Sequence, residues 1–441
     1  MIQMKLGSTM ALLLLSSTRA TLFPKAIYSL AGLPRNLDPR QWFRQDQCRH
    51  LHTASLLAFS TRQDSTISKG GNDSQSNVTI TSSSSVDEVA SGESIKYHHQ
   101  TIKDASNSLG PILDELPSEI DYAVAYGSGV MKQANAVGPP PMIDLLLATP
   151  SSEMFHASNL RRNPSHYPFH ARLLGPRWVT RIQEWGPGAW YIPQVSLAGK
   201  NVKYGVVSSS RILSDLRKWD SFYFSGRLQK PTVQLVLAKS ANRQFEGALE
   251  ANDVAALSLA LALIPESSFS EYMLWEKIAG LSYAGDPRMG IGGENPDKVK
   301  NIVRGPGSLQ GFREKYGSHL AELEVSIEGS EKGSRLQWQE KQETMLQKSP
   351  SLQHLSNMYS RLPHTIKDSV NLSLGLDGDA TKDMTEERAT ALRSALLTAI
   401  KQISGRPALT QSMKGLITAG LTKSISYALA KLQKASAGKK K

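Results

Sequence analysis

The sequence predicts an α/β (α+β) fold with a second, helical domain and a C-terminal amphipathic helix. Two short apolar runs, Tyr122 to Tyr126 and Met142 to Ala148, have the length and composition of buried strands. After about residue 245 the sequence favours helices, and the stretch from Val254 to Ile264 is typical of a buried helix that Pro265 ends. With 441 residues, 40% of them hydrophobic, the chain has material for two cores.

Charge and cysteine content narrow the possible partners. The formal net charge of +12 favours an anionic partner, and nucleic acid, phospholipid and nucleotide phosphates all satisfy it. The chain has a single cysteine, Cys48, which excludes a disulfide framework and a cysteine-rich zinc site.

The N-terminal region, residues 1–60, has the composition of a mitochondrial transit peptide. Its first 37 residues contain no Asp or Glu but include basic residues among Ser, Thr, Leu and Ala. A secretory signal is the alternative, although its apolar core, Met10 to Leu15, is short. The polar, aromatic-poor composition that follows predicts a disordered linker over residues 61–99. No apolar stretch reaches the roughly 18 to 20 residues that a membrane span requires.

The first predicted strand ends in Gly127, Ser128 and Gly129, and the residues from Val130 to Ala136 are compatible with a helix. Glycine allows a tight turn, and the serine hydroxyl together with the free N–H groups of a helix start can hold a phosphate. Taken alone, the same three residues also suit an ordinary strand-to-helix turn.

The second predicted strand carries one acidic residue, Asp144, among leucines and isoleucine. A carboxylate is costly to bury unless a metal ion or a cation pairs with it. An acid at the solvated end of a strand is the alternative.

This order of strand, Gly-Ser, helix and acid-bearing strand resembles the nucleotidyltransferase superfamily. The resemblance implies that the Gly-Ser turn holds the nucleotide's phosphates and that Asp144 binds Mg²⁺. The superfamily pattern has a second acid two positions later, where this chain has Leu146. Other metal ligands are therefore open, with Glu153, Asp215 and Asp220 as candidates; Asp215 lies in a predicted helix, where a solvated acid is expected.

Seven further segments occur in an order that resembles the mitochondrial phosphatidate cytidylyltransferase family, also named for maintenance of an inner-membrane translocator. They are NLRRNPSHYPFHARLLGP (159–176), KYGVVSS (203–209), FSGRLQKP (224–231), IPESSFSE (264–271), IAGLSYAGDPRM (278–289), KVKNIV (298–303) and QSMKGLITAG (411–420). The resemblance implies a nucleotidyltransferase domain over residues 100–235 and a winged-helix-like domain over 236–325. The implied reaction converts CTP and phosphatidic acid into CDP-diacylglycerol and pyrophosphate with Mg²⁺, for cardiolipin and phosphatidylglycerol synthesis.

The resemblance also implies roles for individual residues. Catalysis is assigned to Asp144, Arg227 and Lys230, since the two cations have the spacing to flank a phosphate, although two surface cations would look the same. Asn159 and His166 either contact the substrate or form a hydrogen-bonded loop. Asp286 and Arg288 either reach the cleft or form a buried pair. The full predicted binding set is Gly127, Ser128, Gly129, Asn159, His166 and Lys203, with Asp144 as the metal ligand.

The C-terminal part is predicted as a polar helical region (326–405) followed by a membrane-binding segment (406–441). In the latter, Ile417, Leu421, Ile425 and Leu429 recur at helical spacing while lysines lie elsewhere, as in a helix resting on anionic lipid. A helix packed on the core has the same periodicity. The expected partners are CTP, phosphatidic acid and the anionic matrix-side surface of the mitochondrial inner membrane, without nucleic acid. An RNA 3′-end nucleotidyltransferase and a non-enzymatic assembly factor are the alternatives.

Overall fold

The structure is a computed structural model, and it describes residues 107–131, 133–134, 141–286, 295–330, 336, 338 and 343–419. The predicted transit peptide and linker lie outside these residues. So do Arg288 and the predicted membrane-binding segment beyond residue 419. Among the described residues, no helix is long and apolar enough to cross a membrane.

A five-stranded mixed sheet lies in the first half of the described residues, which we call the sheet half, and the predicted mixed α/β class is confirmed. Both predicted strands are present and are central in the sheet, where apolar residues on both faces are buried. The strand order is β3-β4-β2-β1-β5, with β2 and β4 parallel and the other neighbours antiparallel. The strands are β1 (Tyr122–Tyr126), β2 (Ile143–Thr149), β3 (Ala189–Leu197), β4 (Lys200–Ser208) and β5 (Val233–Leu237).

Helices cover both faces of this sheet and build the second half of the molecule. A helix at 107–114 is α1. The others are α2 (Ser152–Arg162), α3 (Phe169–Gln183), α4 (Ser209–Lys218), α5 (Ser225–Leu228), α6 (Asn242–Leu263), α7 (Glu271–Leu281), α8 (Lys298–Val303), α9 (Ser308–Glu322), α10 (Leu352–Ser360), α11 (His364–Leu374) and α12 (Glu386–Ala419).

The two faces of the sheet belong to separate apolar clusters, because neighbouring strand residues point to opposite sides. On one face, Leu145 and Tyr204 pack with Phe155 of α2 and Val179 of α3. On the other, Leu146 packs with residues of α4 and α6. Alternation therefore places Asp144 on the face of Leu146, and Lys203 on the face opposite Tyr204.

The second half is built around α6, as the sequence predicts. Its apolar stretch is buried, and the helix ends at Leu263, two residues before Pro265. Around it pack Trp275 of α7, Phe312 of α9 and Leu396 of α12. A small antiparallel sheet of order β6-β8-β7 completes this half, with β6 (Ser268–Ser270), β7 (Val325–Ile327) and β8 (Met345–Lys348).

The helix predicted for Val130 to Ala136 is wrong for the residues that the structure describes. The Gly-Ser-Gly sequence itself forms a single 3₁₀ turn. Val130 ends this turn, because its φ of −123° and ψ of −33° are not helical. The chain then leaves the sheet, and the Ala134 N–H donates to the Asn301 carbonyl oxygen of α8 at 2.9 Å. Pairing with the second half of the molecule thus takes the place of helix formation.

Candidate active site

One cavity receives residues from both halves of the molecule. The sheet half supplies the turn after β1, the start of β2 and the middle of β4, and the second half supplies the segment after α7 and the starts of α8 and α9. Its lining includes Tyr126, Gly127, Ser128, Asp144, Lys203, Tyr223, Arg227, Lys230, Ser282, Tyr283, Asp286 and Lys298. Six of the predicted site residues therefore meet in one place.

The glycines of the turn have different structural roles. Gly127 has φ +76°, a left-handed conformation that other residues adopt at a cost, and a Cβ built there would lie 3.4 Å from Oδ2 of Asp144. A Cβ at Gly129 would lie 2.6 Å from the carbonyl oxygen of Met142. Gly127 thus keeps the space beside the carboxylate open, while Gly129 lets the turn approach the backbone of β2 and is not among the lining residues.

Asp144 pairs with Lys203, its direct neighbour on the adjacent parallel strand. Lys203 Nζ lies 3.0 Å from Asp144 Oδ1, and the two side chains are 25% and 23% exposed. The same Nζ lies 4.9 Å from the ring centroid of Tyr191. The acid in the apolar strand is therefore compensated by a cation while it still faces the cavity.

Arg227 is held by the residue four positions before it. Its guanidinium carbon lies 3.6 Å from the ring centroid of Tyr223, and Nη1 donates to the carbonyl oxygen of that tyrosine. Stacking fixes the plane of the guanidinium group, which suits it to grip a phosphate. The sequence did not indicate this tyrosine.

Lys230 joins the two halves at the cavity. Its ammonium group donates to the Gly226 carbonyl oxygen and, at 2.9 Å, to the Ser282 hydroxyl. Burial, and secondly the charge of Arg227, lower the pKa of Lys230 to about 7. An anion in the cavity would favour its charged form.

The prediction that Asp215 is a solvated helix acid is wrong. Asp215 is buried, and its carboxylate accepts hydrogen bonds from the backbone N–H groups of Ser221, Phe224 and Ser225 and from the hydroxyl groups of both serines. It thereby shapes the loop that leads into Arg227.

The other candidate metal ligands also lie outside the cavity lining. Glu153 pairs with Arg177 at 3.0 Å, and Asp220 accepts a hydrogen bond from Ser214. The described residues contain no group of three His, Cys, Asp or Glu that can hold a metal ion. A second acidic residue, Asp286, also lines the cavity.

The structure does not bring Asn159 and His166 to this cavity. Asn159 is buried, and its amide donates to the hydroxyl groups of Tyr167 (3.1 Å) and Tyr204 (2.7 Å). His166 Nδ1 lies 2.8 Å from the Tyr204 hydroxyl. These contacts are on the sheet face opposite Lys203, and they match the hydrogen-bonded loop that the sequence left open as an alternative.

The same network includes a histidine that carries no positive charge near neutral pH. His156 lies 2.8 Å from the Tyr167 hydroxyl and 2.7 Å from Oε1 of Gln183. Burial lowers the pKa of His156 to about 4, although the hydrogen bond to Gln183 opposes the shift. The network is thus a neutral support beneath β4.

The chain is similar to known proteins over most of its length. A model of the family described as mitochondrial phosphatidate cytidylyltransferase matches residues 109–434. Curated proteins named mitochondrial phosphatidate cytidylyltransferase are similar to it: that of Drosophila melanogaster is 37% identical over 71% of this chain and 94% of its own. The Bos taurus protein is 34% identical over 76% of this chain and 96% of its own. The Schizosaccharomyces pombe protein is 32% identical over 76% of this chain and 85% of its own.

Proposed function

The chain belongs to the mitochondrial phosphatidate cytidylyltransferase family, and we propose that the cavity between its two halves carries out the reaction of that family. The protein is a nucleotidyltransferase enzyme that joins the cytidylyl group of CTP to phosphatidic acid and so makes CDP-diacylglycerol. The observation that carries the site assignment is the Asp144–Lys203 pair beside the Gly127–Ser128 turn.

The reaction requires positioning and charge neutralisation more than covalent help. An oxygen of the phosphatidic acid phosphate attacks the α-phosphorus of CTP, a P–O bond forms, and the bond to pyrophosphate breaks. The attacking oxygen is already anionic, so no base has to remove a proton. Two anions must approach each other, however, and in our proposal the charges of Lys203, Arg227 and Lys230 offset their repulsion.

The turn is proposed to hold the triphosphate. Gly127 and Ser128 line the cavity with little side chain, which leaves backbone N–H groups and one hydroxyl to face phosphate oxygens. Arg227, held flat on Tyr223, can donate two parallel hydrogen bonds to a phosphate. Asn159 and His166 are proposed to act indirectly, by supporting the strand that carries Lys203.

The residues present fit Mg²⁺, and we propose Asp144 as its protein ligand. In nucleotide enzymes this ion commonly takes one or two carboxylates and completes its shell with phosphate oxygens and water, so two cavity carboxylates, Asp144 and Asp286, are sufficient. The missing side chain at Gly127 leaves room beside Oδ2. When bound, Mg²⁺ would supply positive charge to the phosphates.

The larger setting of the enzyme is proposed in the same way. The relatives are named as mitochondrial, which supports a mitochondrial location. We propose that the enzyme works on the matrix face of the inner membrane, where its product, CDP-diacylglycerol, would be the precursor for cardiolipin synthesis. We propose that the mixed sheet belongs to the nucleotidyltransferase fold and that the second half contains a winged-helix-like unit.

The test compares Asp144→Asn with Asp220→Asn, a control that removes an exposed acid outside the cavity. With labelled CTP, Mg²⁺ and phosphatidic acid, we expect Asp144→Asn to lower the rate of labelled lipid formation by about 100-fold or more and the control to be unchanged. Wild-type rates in a folded Asp144→Asn protein would contradict the site. Label that enters RNA and never lipid would favour an RNA 3′-end enzyme, and no transfer at all would favour an assembly factor.

A further inference from the structure

The first half of α3 exposes large apolar side chains. Phe169 is 70% exposed, Leu173 72% and Leu174 52%. Helical geometry stops at Gly175, which has φ 78° and ψ −179°, so residues 169–174 form a separate short segment. Ala171 is the buried residue of that segment. Core packing therefore explains the alanine but not the phenylalanine and the two leucines.

Two arginines, Arg172 and Arg177, lie within this segment or just after it in the chain. The guanidinium carbon of Arg172 lies 6.0 Å from the ring centroid of Phe169. Arg177 has an 88% exposed side chain and pairs with Glu153, which is next to Met154, itself 59% exposed. Residues 153–185 contain five arginines and two glutamates. We call Phe169, Leu173 and Leu174 the α3 apolar surface.

The segment that carries this surface follows a residue that is hydrogen-bonded to the sheet. Phe169 comes three residues after His166, which is hydrogen-bonded to Tyr204 at 2.8 Å. Tyr204 is the neighbour of Lys203 in β4, and Lys203 lines the cavity. The start of α3 is thus tied to the same part of β4 as the site, on the opposite face of the sheet.

We propose that the α3 apolar surface binds an anionic phospholipid bilayer. Exposed apolar side chains that lie close together mark interaction sites, and a short helix that carries apolar residues next to Arg172 suits the boundary between lipid tails and phosphate headgroups. The excess of arginine is complementary to anionic lipid rather than to an uncharged partner. The inference rests on the proposed function, because an enzyme that takes phosphatidic acid from a bilayer must work at its surface.

The direct test places a probe on the surface. Cys48 is the only cysteine, so Cys48→Ser followed by Leu173→Cys gives one labelling position for an environment-sensitive fluorophore. The matched control is Leu372→Cys on α11, where the leucine is 86% exposed. The full chain is titrated with phosphatidylcholine vesicles that contain or lack phosphatidylglycerol. We expect a blue shift and brighter emission at position 173 with the anionic vesicles, little change with the neutral ones and none at position 372.

Three outcomes would overturn the proposal. The first is an unchanged spectrum at position 173 while the labelled protein sediments with the vesicles. The second is a blue shift without vesicles that grows with protein concentration, which would indicate a second copy of the chain as the occupant. The third is a blue shift without vesicles at every concentration, which would indicate that residues 420–441 of the same chain cover the surface.

A set of substitutions separates this surface from the catalytic proposal. We expect the triple variant Phe169→Ser, Leu173→Ser and Leu174→Ser to bind anionic vesicles about tenfold more weakly or worse, and Leu372→Ser to bind normally. With a short-chain, water-soluble phosphatidic acid, the triple variant should keep wild-type activity. A normal vesicle affinity in the triple variant would contradict the bilayer-binding proposal and leave the catalytic proposal unaffected. A probe shift at position 173 with anionic vesicles, in a protein that makes no lipid product before labelling, would contradict the catalytic site alone.

Discussion

Asp144 and Lys203 face each other on neighbouring parallel strands, and their side chains form an ion pair of 3.0 Å at the wall of the cavity. This ion pair has two effects. It compensates an acid in an apolar strand, and it keeps a carboxylate and an ammonium group side by side at the place where we propose that the nucleotide's phosphates and their counter-ion bind.

Lys203→Met tests the pair. We expect the catalytic rate to fall by about 100-fold, because Lys203 is one of the cations that we propose to face the phosphates. The free energy of unfolding should fall by about 1 to 3 kcal/mol, because Asp144 is only about one-quarter exposed and would lose the cation that pairs with it. Steady-state kinetics and urea unfolding measure the two effects. Arg304→Met, which removes a partly exposed pair with Glu276, is the control and should leave the rate unchanged.

The two glycines of the turn should separate function from stability. Gly127→Ala should fold, at a cost of about 1 kcal/mol for a left-handed backbone, but should bind CTP poorly because the methyl group fills the space beside Asp144. Gly129→Ala should lower stability by about 3 kcal/mol, because the Cβ would meet the carbonyl oxygen of Met142 at 2.6 Å and the Cα of Ile143 at 2.7 Å. Thermal unfolding and CTP titration distinguish the two.

Gly247→Ala is the control for the glycine series. Gly247 lies inside α6 with open space around it, so the substitution should raise stability by roughly 0.5 to 1 kcal/mol and leave CTP binding unchanged. Equal losses of stability in Gly127→Ala and Gly129→Ala would contradict the assignment of different roles.

Lys230 predicts a pH dependence of CTP affinity. Burial, with the charge of Arg227, lowers the pKa of this lysine to about 7, and a bound phosphate stabilises the charged form and raises that pKa. CTP binding should therefore take up a proton above pH 7, and affinity should fall as the pH rises from about 7 to 9. Calorimetry in two buffers with different ionisation heats counts the protons.

Lys230→Arg is the matched variant for this experiment, because arginine stays charged throughout the range. Proton uptake above pH 7 should disappear in it, and CTP affinity should become flatter with pH. The same proton uptake in Lys230→Arg would assign the ionisation to another group.

Asp215 predicts a loss of stability that is linked to the site. In Asp215, Oδ1 accepts from the backbone N–H of Ser221 and Oδ2 from those of Phe224 and Ser225. In Asp215→Asn an amide nitrogen replaces one of these oxygens, and because it cannot accept hydrogen bonds, one of the two sets is lost. We expect unfolding to become easier by about 3 kcal/mol and the rate to fall with it, because Arg227 follows this loop. Urea unfolding measures the first effect. Asp220→Asn should change neither, and wild-type stability in Asp215→Asn would contradict the prediction.

Local patterns were sufficient for several parts of the fold. Two apolar runs predicted β1 and β2, and the stretch ending at Pro265 predicted the buried α6. Gly127, Ser128 and Asp144 lie close to strand ends and line one cavity, as their sequence context predicted; that they hold a phosphate stays a prediction. The series of segments that resembles one enzyme family predicted the reaction.

Other features depend on contacts between residues far apart in the chain. Asp215 looks like a solvated acid in its helix, yet a loop folds over its carboxylate and makes it the anchor of Ser221 to Ser225. The predicted helix after Gly129 is absent from the described residues, because the Ala134 N–H finds its acceptor in α8. No local pattern carries such information.

The sequence by itself determined β1, β2, the buried α6 and the family, because these depend on side chains within a few positions of one another or on short segments in a fixed order. Only the tertiary structure decided which charges meet. Strand pairing placed Lys203 against Asp144, and it put Tyr204, with Asn159 and His166, on the opposite face. The physical reason is that successive strand residues point to opposite sides of a sheet, so two adjacent positions of β4 serve two different surfaces.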